Sequence, residues 1–193
     1  VIGMLWGMAK YPGGFSFFNV FVSYLGGNEV NPEGYIFYNI TVVFAGLMSL
    51  PHFIYVYRKT APTLKPITFL GCFSGILGFL GFAALGIWYE GASFIGHQWA
   101  TIFAFGGFGL SALLLLFPLI RRAYLKFNWP KPWALAITYI IIFGALGYSA
   151  LYQDFSVLLV TWRVDPTETI WEWLYFFVAV FWLFDILLLT DNQ

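Results

Sequence analysis

Residues 11–32 read YPGGFSFFNVFVSYLGGNEVNP. The stretch is rich in phenylalanine, yet it opens on a proline and a glycine pair and nearly closes on a second glycine pair. It is too interrupted for a membrane span, and a lone strand would leave backbone groups unpaired in lipid. Its reading decides the fold, because it joins the first apolar run to the second and so sets the side on which each later loop emerges. Pro12 suits the first turn of a helix, where no N–H is needed. Gly26 and Gly27 suit a helix end. Ser16, Asn19 and Ser23 fall at helical spacing among aromatic residues. Together these features predict a short amphipathic helix lying at the outer membrane interface, after which residues 28–33 turn the chain back into the bilayer.

The surroundings of this stretch are a membrane protein's. Of the 193 residues, 61% are hydrophobic and 9% charged, against about 25% charged in an ordinary soluble domain. A soluble fold of this size could not hide so much apolar surface. The net charge is zero, and nothing in the chain resembles the basic face that nucleic acid requires. The single cysteine, Cys72, excludes an intrachain disulfide and a cysteine metal cluster.

A spanning helix needs about 20 mostly apolar residues. Residues 35–57, 67–89, 94–120, 133–153 and 170–189 qualify. Residues 1–9 are apolar but short, and read as the outer half of a further span. The expectation is an all-α polytopic integral membrane bundle of six transmembrane helices, a single domain over residues 1–193, with short outer interfacial helices. Charge gives its orientation. Seven of the nine cations (Arg58, Lys59 and Lys65, then Arg121, Arg122, Lys126 and Lys131) occupy two loops separated by two spans. Lys and Arg in short loops mark the cytoplasmic face. Glu29, Glu33, Glu90, Asp154, Asp165, Glu168 and Glu172 fall near the opposite face, where only Lys10 and Arg163 break the pattern. The protein is thus expected in the cell membrane as a multi-pass chain with both termini cytoplasmic.

The second long outer loop, 154–168, ends on Asp165, Pro166, Thr167 and Glu168, a capping-box sequence that starts the last helix near Pro166. With 11–34 it is expected to form a lid over the outer helix ends. Gly71, Ser74, Gly75 and Gly78 form overlapping pairs of small residues, as Gly106, Gly107 and Gly109 do in the next span. Such stripes allow close helix approach, chiefly within the bundle, with dimerisation as the other use. Cys72, beside the first stripe, reads as a packing residue.

The chemistry-bearing residues gather at the outer face. His97 opens one span with Glu90 shortly before it, and Glu168 and Glu172 stand one turn apart at the start of the last. A histidine near carboxylates can act as a base or bind a metal, but it can equally be part of a polar network that fixes helix ends. The tight His and Cys spacing of a zinc site is absent, so no metal, cofactor or catalytic residue is expected. His52 lies near the cytoplasmic end of its span and cannot share a site with His97. Phosphate loops, nucleophile elbows and His-Glu-x-x-His motifs are missing, and no internal repeat of the transporter kind is seen.

"YPGGFSFFNVFVSYLGG" followed by "NPEGYIFYNITVVFAGL" resembles the start of an uncharacterised prokaryotic membrane family, domain of unknown function 998, itself similar to the Frag1/DRAM/Sfk1 group. The shared features are the proline-glycine segment, a Ser-x-Leu-Gly element (Ser23, Leu25 and Gly26), the entry from Phe37 to Asn39, a glycine-rich third span and "GHQWATIFAF". Tyr24 stands where members of the Ser-x-Leu-Gly type often carry Asp. The resemblance covers roughly residues 8–110 and implies a six-helix fold but no reaction.

The functional expectation is a non-enzymatic membrane protein that binds membrane lipids or serves as a small accessory subunit beside other membrane subunits. A lipid-modifying enzyme using Glu90, His97, Glu168 and Glu172 is the alternative, and a small-molecule transporter the third. The ligand-binding residues expected under the outer loops are Asn19, Ser23, Glu90, His97, Arg163, Glu168 and Glu172. Arg163 is suited to a lipid phosphate.

Overall fold

A computed structural model describes residues 1–62, 64–126 and 166–191, which are all-helical, with no strand among them. The helices are α1 (Ile2–Ala9), α2 (Tyr35–Met48), α3 (Leu50–Thr60), α4 (Lys65–Ile87), α5 (Phe94–Thr101), α6 (Gly107–Lys126) and α7 (Pro166–Asp191). Tyr35–Thr60, Lys65–Ile87 and Phe94–Arg121 are long and apolar enough to cross a membrane. They match the spans expected at 35–57, 67–89 and 94–120. The helix α7 starts at Pro166 as expected, and Glu172–Phe184 is an apolar stretch of it. The span expected at 133–153 and the loop at 154–165, including Arg163, lie outside the described residues.

Two of the three long helices are locally deformed. Pro51 lacks an N–H and its ring crowds the carbonyl one turn back. The chain therefore turns at Ser49, and α2 and α3 are two pieces of one long apolar helix. In the third, Ile102–Gly106 widens into a π-turn between α5 and α6. The Tyr175 hydroxyl donates to the Phe105 carbonyl in that turn, at 2.6 Å. A side chain of α7 thus supplies a partner where the regular helical ladder is disturbed.

The centre of the bundle is α4, packed on α2, α3 and α6. Its small residues form the contact surfaces. A Cβ at Gly75 would meet the Phe53 ring at 2.2 Å, one at Gly71 would meet Leu115 at 2.8 Å, and one at Gly78 would meet Phe108 at 2.6 Å. This stripe packs inside the chain, with Cys72 buried beside it. Gly106 is different, since a Cβ there meets nothing within 4 Å. One core cluster forms around Phe53, Phe79, Leu115 and Trp182. A second gathers Val20, Val22, Leu25, Tyr38, Val42 and Trp173 at the other end.

That second cluster corrects the expectation for residues 11–26. No interfacial helix forms there. Gly13 and Gly14 take positive φ values of 75° and 93°, and the only regular element is a short 3-10 turn at Ser23–Gly26. Phe17 and Phe18 remain exposed, but Val20, Phe21, Val22 and Leu25 are buried. The segment is irregular backbone wedged into the bundle. Such backbone is tolerated where protein surrounds it and meets its hydrogen bonds.

Candidate functional site

Side chains of α2, α7 and the loop before α2 provide those hydrogen bonds. Thr169 donates to the Phe18 carbonyl and Trp173 Nε1 to the Val20 carbonyl, both at 2.7 Å. The Tyr38 hydroxyl donates to the Val22 carbonyl at 3.1 Å. Asn31 Nδ2 donates to the Leu25 carbonyl at 2.9 Å and also to the Gly7 carbonyl at 3.0 Å. Asn39 Nδ2 donates to the Gly26 carbonyl at 2.8 Å. These carbonyls would bond within a helix; here tertiary donors take them instead. The close approach also needs a glycine at Gly26, where a Cβ would lie 2.3 Å from Asn39 Oδ1.

Glu172 completes the arrangement. Its carboxylate accepts the Val22 N–H at 3.1 Å, and the N–H and hydroxyl of Ser23 also donate to it. The role of Glu172 is therefore to anchor the wedged segment. It also lines a small cleft, together with Ser23, Asn39, Tyr89, His97 and Thr101. The cleft has a volume of about 30 Å³, room for a water or two but not for a lipid head group.

His97 is buried on α5, one turn in from the Ser93 cap. A carbonyl can only accept, so Nδ1, 2.9 Å from the Trp88 carbonyl, carries a proton. Nε2 faces the Glu90 carboxylate at 3.5 Å and donates to it when the ring is protonated at both nitrogens. The pair ties the end of α4 to the start of α5. Of the expected residues, Ser23, His97 and Glu172 line one cleft, with Glu90 paired to His97. Asn19 is exposed and does not line it. Glu168 lies in the first turn of α7, and its side chain and Arg163 are outside the described residues. Among the described residues, no group of three or more His, Cys, Asp or Glu is placed to hold a metal.

Electrostatics bear on the phenols of the wedged segment. Burial raises Tyr11 above the ordinary tyrosine range. Burial also raises Tyr24, and the neighbouring negative charges of Glu90, ionised Tyr11 and Glu172 push it in the same direction. Lys10, a cation on the acidic side, is paired with Glu33 at 3.1 Å. Both side chains are exposed, so this bond contributes little to stability.

The larger opening was not expected from the sequence. A cleft of about 470 Å³ lies between α2–α3 and α7, walled by Ala45, His52, Phe79, Phe108, Ala179 and Leu183 among others. The small residues Ala45 and Ala179 are a sequence signal for it, but only the packing shows that both line one cleft. His52, set aside above as unable to share a site with His97, sits in this cleft instead. No protein-family model, curated protein or solved structure matches the chain.

Proposed function

We propose that this chain is a lipid-binding integral membrane protein and that the cleft between α2–α3 and α7 is where the lipid sits. The observation that carries the reading is the size and lining of the cleft. Small-molecule sites are typically 300–1,000 Å³, mostly apolar, with a few polar groups. This cleft is about 470 Å³, mostly apolar, with His52, Ser49 and Thr41 among its walls. The three helices long and apolar enough to cross a membrane, together with α7, give it a hydrocarbon environment. The full topology in this reading is six spans with both termini cytoplasmic. The likeness to the domain of unknown function 998 family is compatible with that topology.

The polar groups at the outer end are better suited to structure than to reaction. Glu172 is engaged by Val22 and Ser23, and His97 by Trp88 and Glu90. In this reading they hold the wedged segment and the helix ends, and the ligand occupies the cleft.

The test is lipid extraction and mass spectrometry of the protein purified in mild detergent, with Ala45→Trp as comparison. Ala45 lines the cleft yet is exposed, so an indole there enters the opening without displacing core. The expected result is a lipid bound stoichiometrically to the wild type and lost from Ala45→Trp. A lipid content equal in the two proteins rejects the cleft as the site.

A further inference from the structure

The cleft has one polar atom whose chemistry identifies what enters it. Nε2 of His52 is buried and has no hydrogen-bond partner among the described residues, although the ring is held by edge contacts to Phe53 and Phe79, with centroids 5.1 and 6.2 Å away. A buried imidazole nitrogen without a partner carries a desolvation cost, so a ligand group that bonds it binds more tightly than one that does not. Among the described residues, no Lys, Arg, Asp or Glu side chain lines the cleft. A phosphate or carboxylate drawn to this depth would remain an unpaired charge in an apolar environment. A hydroxyl carries no charge and meets either tautomer of the ring, donating to a bare Nε2 or accepting from a protonated one.

Resting on the reading of the cleft as a lipid site, we propose that its ligand is an uncharged lipid bearing a hydroxyl, and that His52 Nε2 binds that hydroxyl. The apolar side chains of α7 that line the cleft, Phe176 to Leu187, take the chain of the lipid. Ser49, one helical turn before His52 along the same wall, offers a second hydroxyl near the head.

The experiment uses the full chain reconstituted in phosphatidylcholine vesicles. It is photolabelled with three diazirine probes of equal chain length: hexadecanol, hexadecane and palmitate. The expected result is labelling of α2–α3 and α7 peptides by hexadecanol, above both other probes. His52→Phe, which keeps the ring and removes the nitrogen, should lower hexadecanol labelling roughly three- to tenfold, the worth of one net hydrogen bond. It should leave hexadecane labelling unchanged, and His52→Gln should restore part of the loss. Hexadecane labelling that also falls in His52→Phe would indicate misfolding, and the His52→Gln rescue then decides. Equal labelling by alcohol and hydrocarbon, or stronger labelling by palmitate, overturns the hydroxyl assignment and leaves the lipid cleft standing. Labelling of Ala45→Trp as strong as wild type by every probe overturns both, as does recovery of a second polypeptide cross-linked into the cleft without lipid.

Discussion

The indole nitrogen of Trp173 donates to the backbone carbonyl of Val20 at 2.7 Å, across 153 positions of sequence. The residue before it, Glu172, accepts the N–H of Val22. Two neighbours on α7 thus hold both a donor and an acceptor of a segment whose own regular structure is a single 3-10 turn. Trp173→Phe keeps an aromatic ring but leaves the Val20 carbonyl without its donor, at a cost of about 1–3 kcal/mol. Glu172→Ala strands the Val22 N–H and the Ser23 groups, at a similar or larger cost. Both variants should show earlier thermal unfolding in detergent and faster protease cleavage within 16–26. Cleavage rates equal to wild type would show that the segment is held by apolar burial alone.

The small residues of α4 and the π-turn separate packing from chain flexibility. Gly75→Ala drives a methyl into the Phe53 ring, and overpacking of this kind costs about 1–3 kcal/mol. Gly106→Ala meets open space and removes a flexible residue, so it should be neutral or stabilising by up to about 1 kcal/mol. Thermal midpoints of the two variants, measured side by side, check the contrast. Equal midpoints would mean that the α4 stripe is not a tight contact.

Alkaline pH should loosen the wedged segment. Tyr24 is raised by burial and then by the nearby negative charges, and Tyr11 by burial. A phenol whose folded pKa lies above its unfolded value favours the folded state at pH below about 10, and that contribution is lost as pH rises through the folded value. Hydrogen exchange of residues 20–27 should therefore accelerate above about pH 10, and less steeply in Tyr24→Phe. An identical pH profile in the variant would assign the effect to another group.

Orientation can be read with thiols, because the only native cysteine, Cys72, is buried. A membrane-impermeant maleimide applied to intact cells should modify Glu29→Cys and leave Lys126→Cys unmodified until the membrane is opened. The reverse pattern would invert the proposed topology.

Composition and run length alone determined that the described residues are apolar and helical and where the long helices Tyr35–Thr60, Lys65–Ile87 and Phe94–Arg121 lie. A helix satisfies its own backbone, so the length of an apolar run carries the information locally. The start of α7 at Pro166 was legible for the same reason, since a helix end is a local event. The path of residues 11–27 was not. Its spacing of Ser16, Asn19 and Ser23 mimics a helix face, while Val20, Phe21 and Val22, consecutive and all buried, are the sign that it is surrounded on every side. The donors that make this possible, Asn31, Asn39, Tyr38 and Trp173, are distant in sequence or look like ordinary polar and aromatic residues in apolar runs. Only tertiary structure could bring them to those carbonyls. It also decided that His52 faces a cleft while His97 is locked between Trp88 and Glu90. A cavity is a gap between elements, and it depends on how helices far apart in sequence pack.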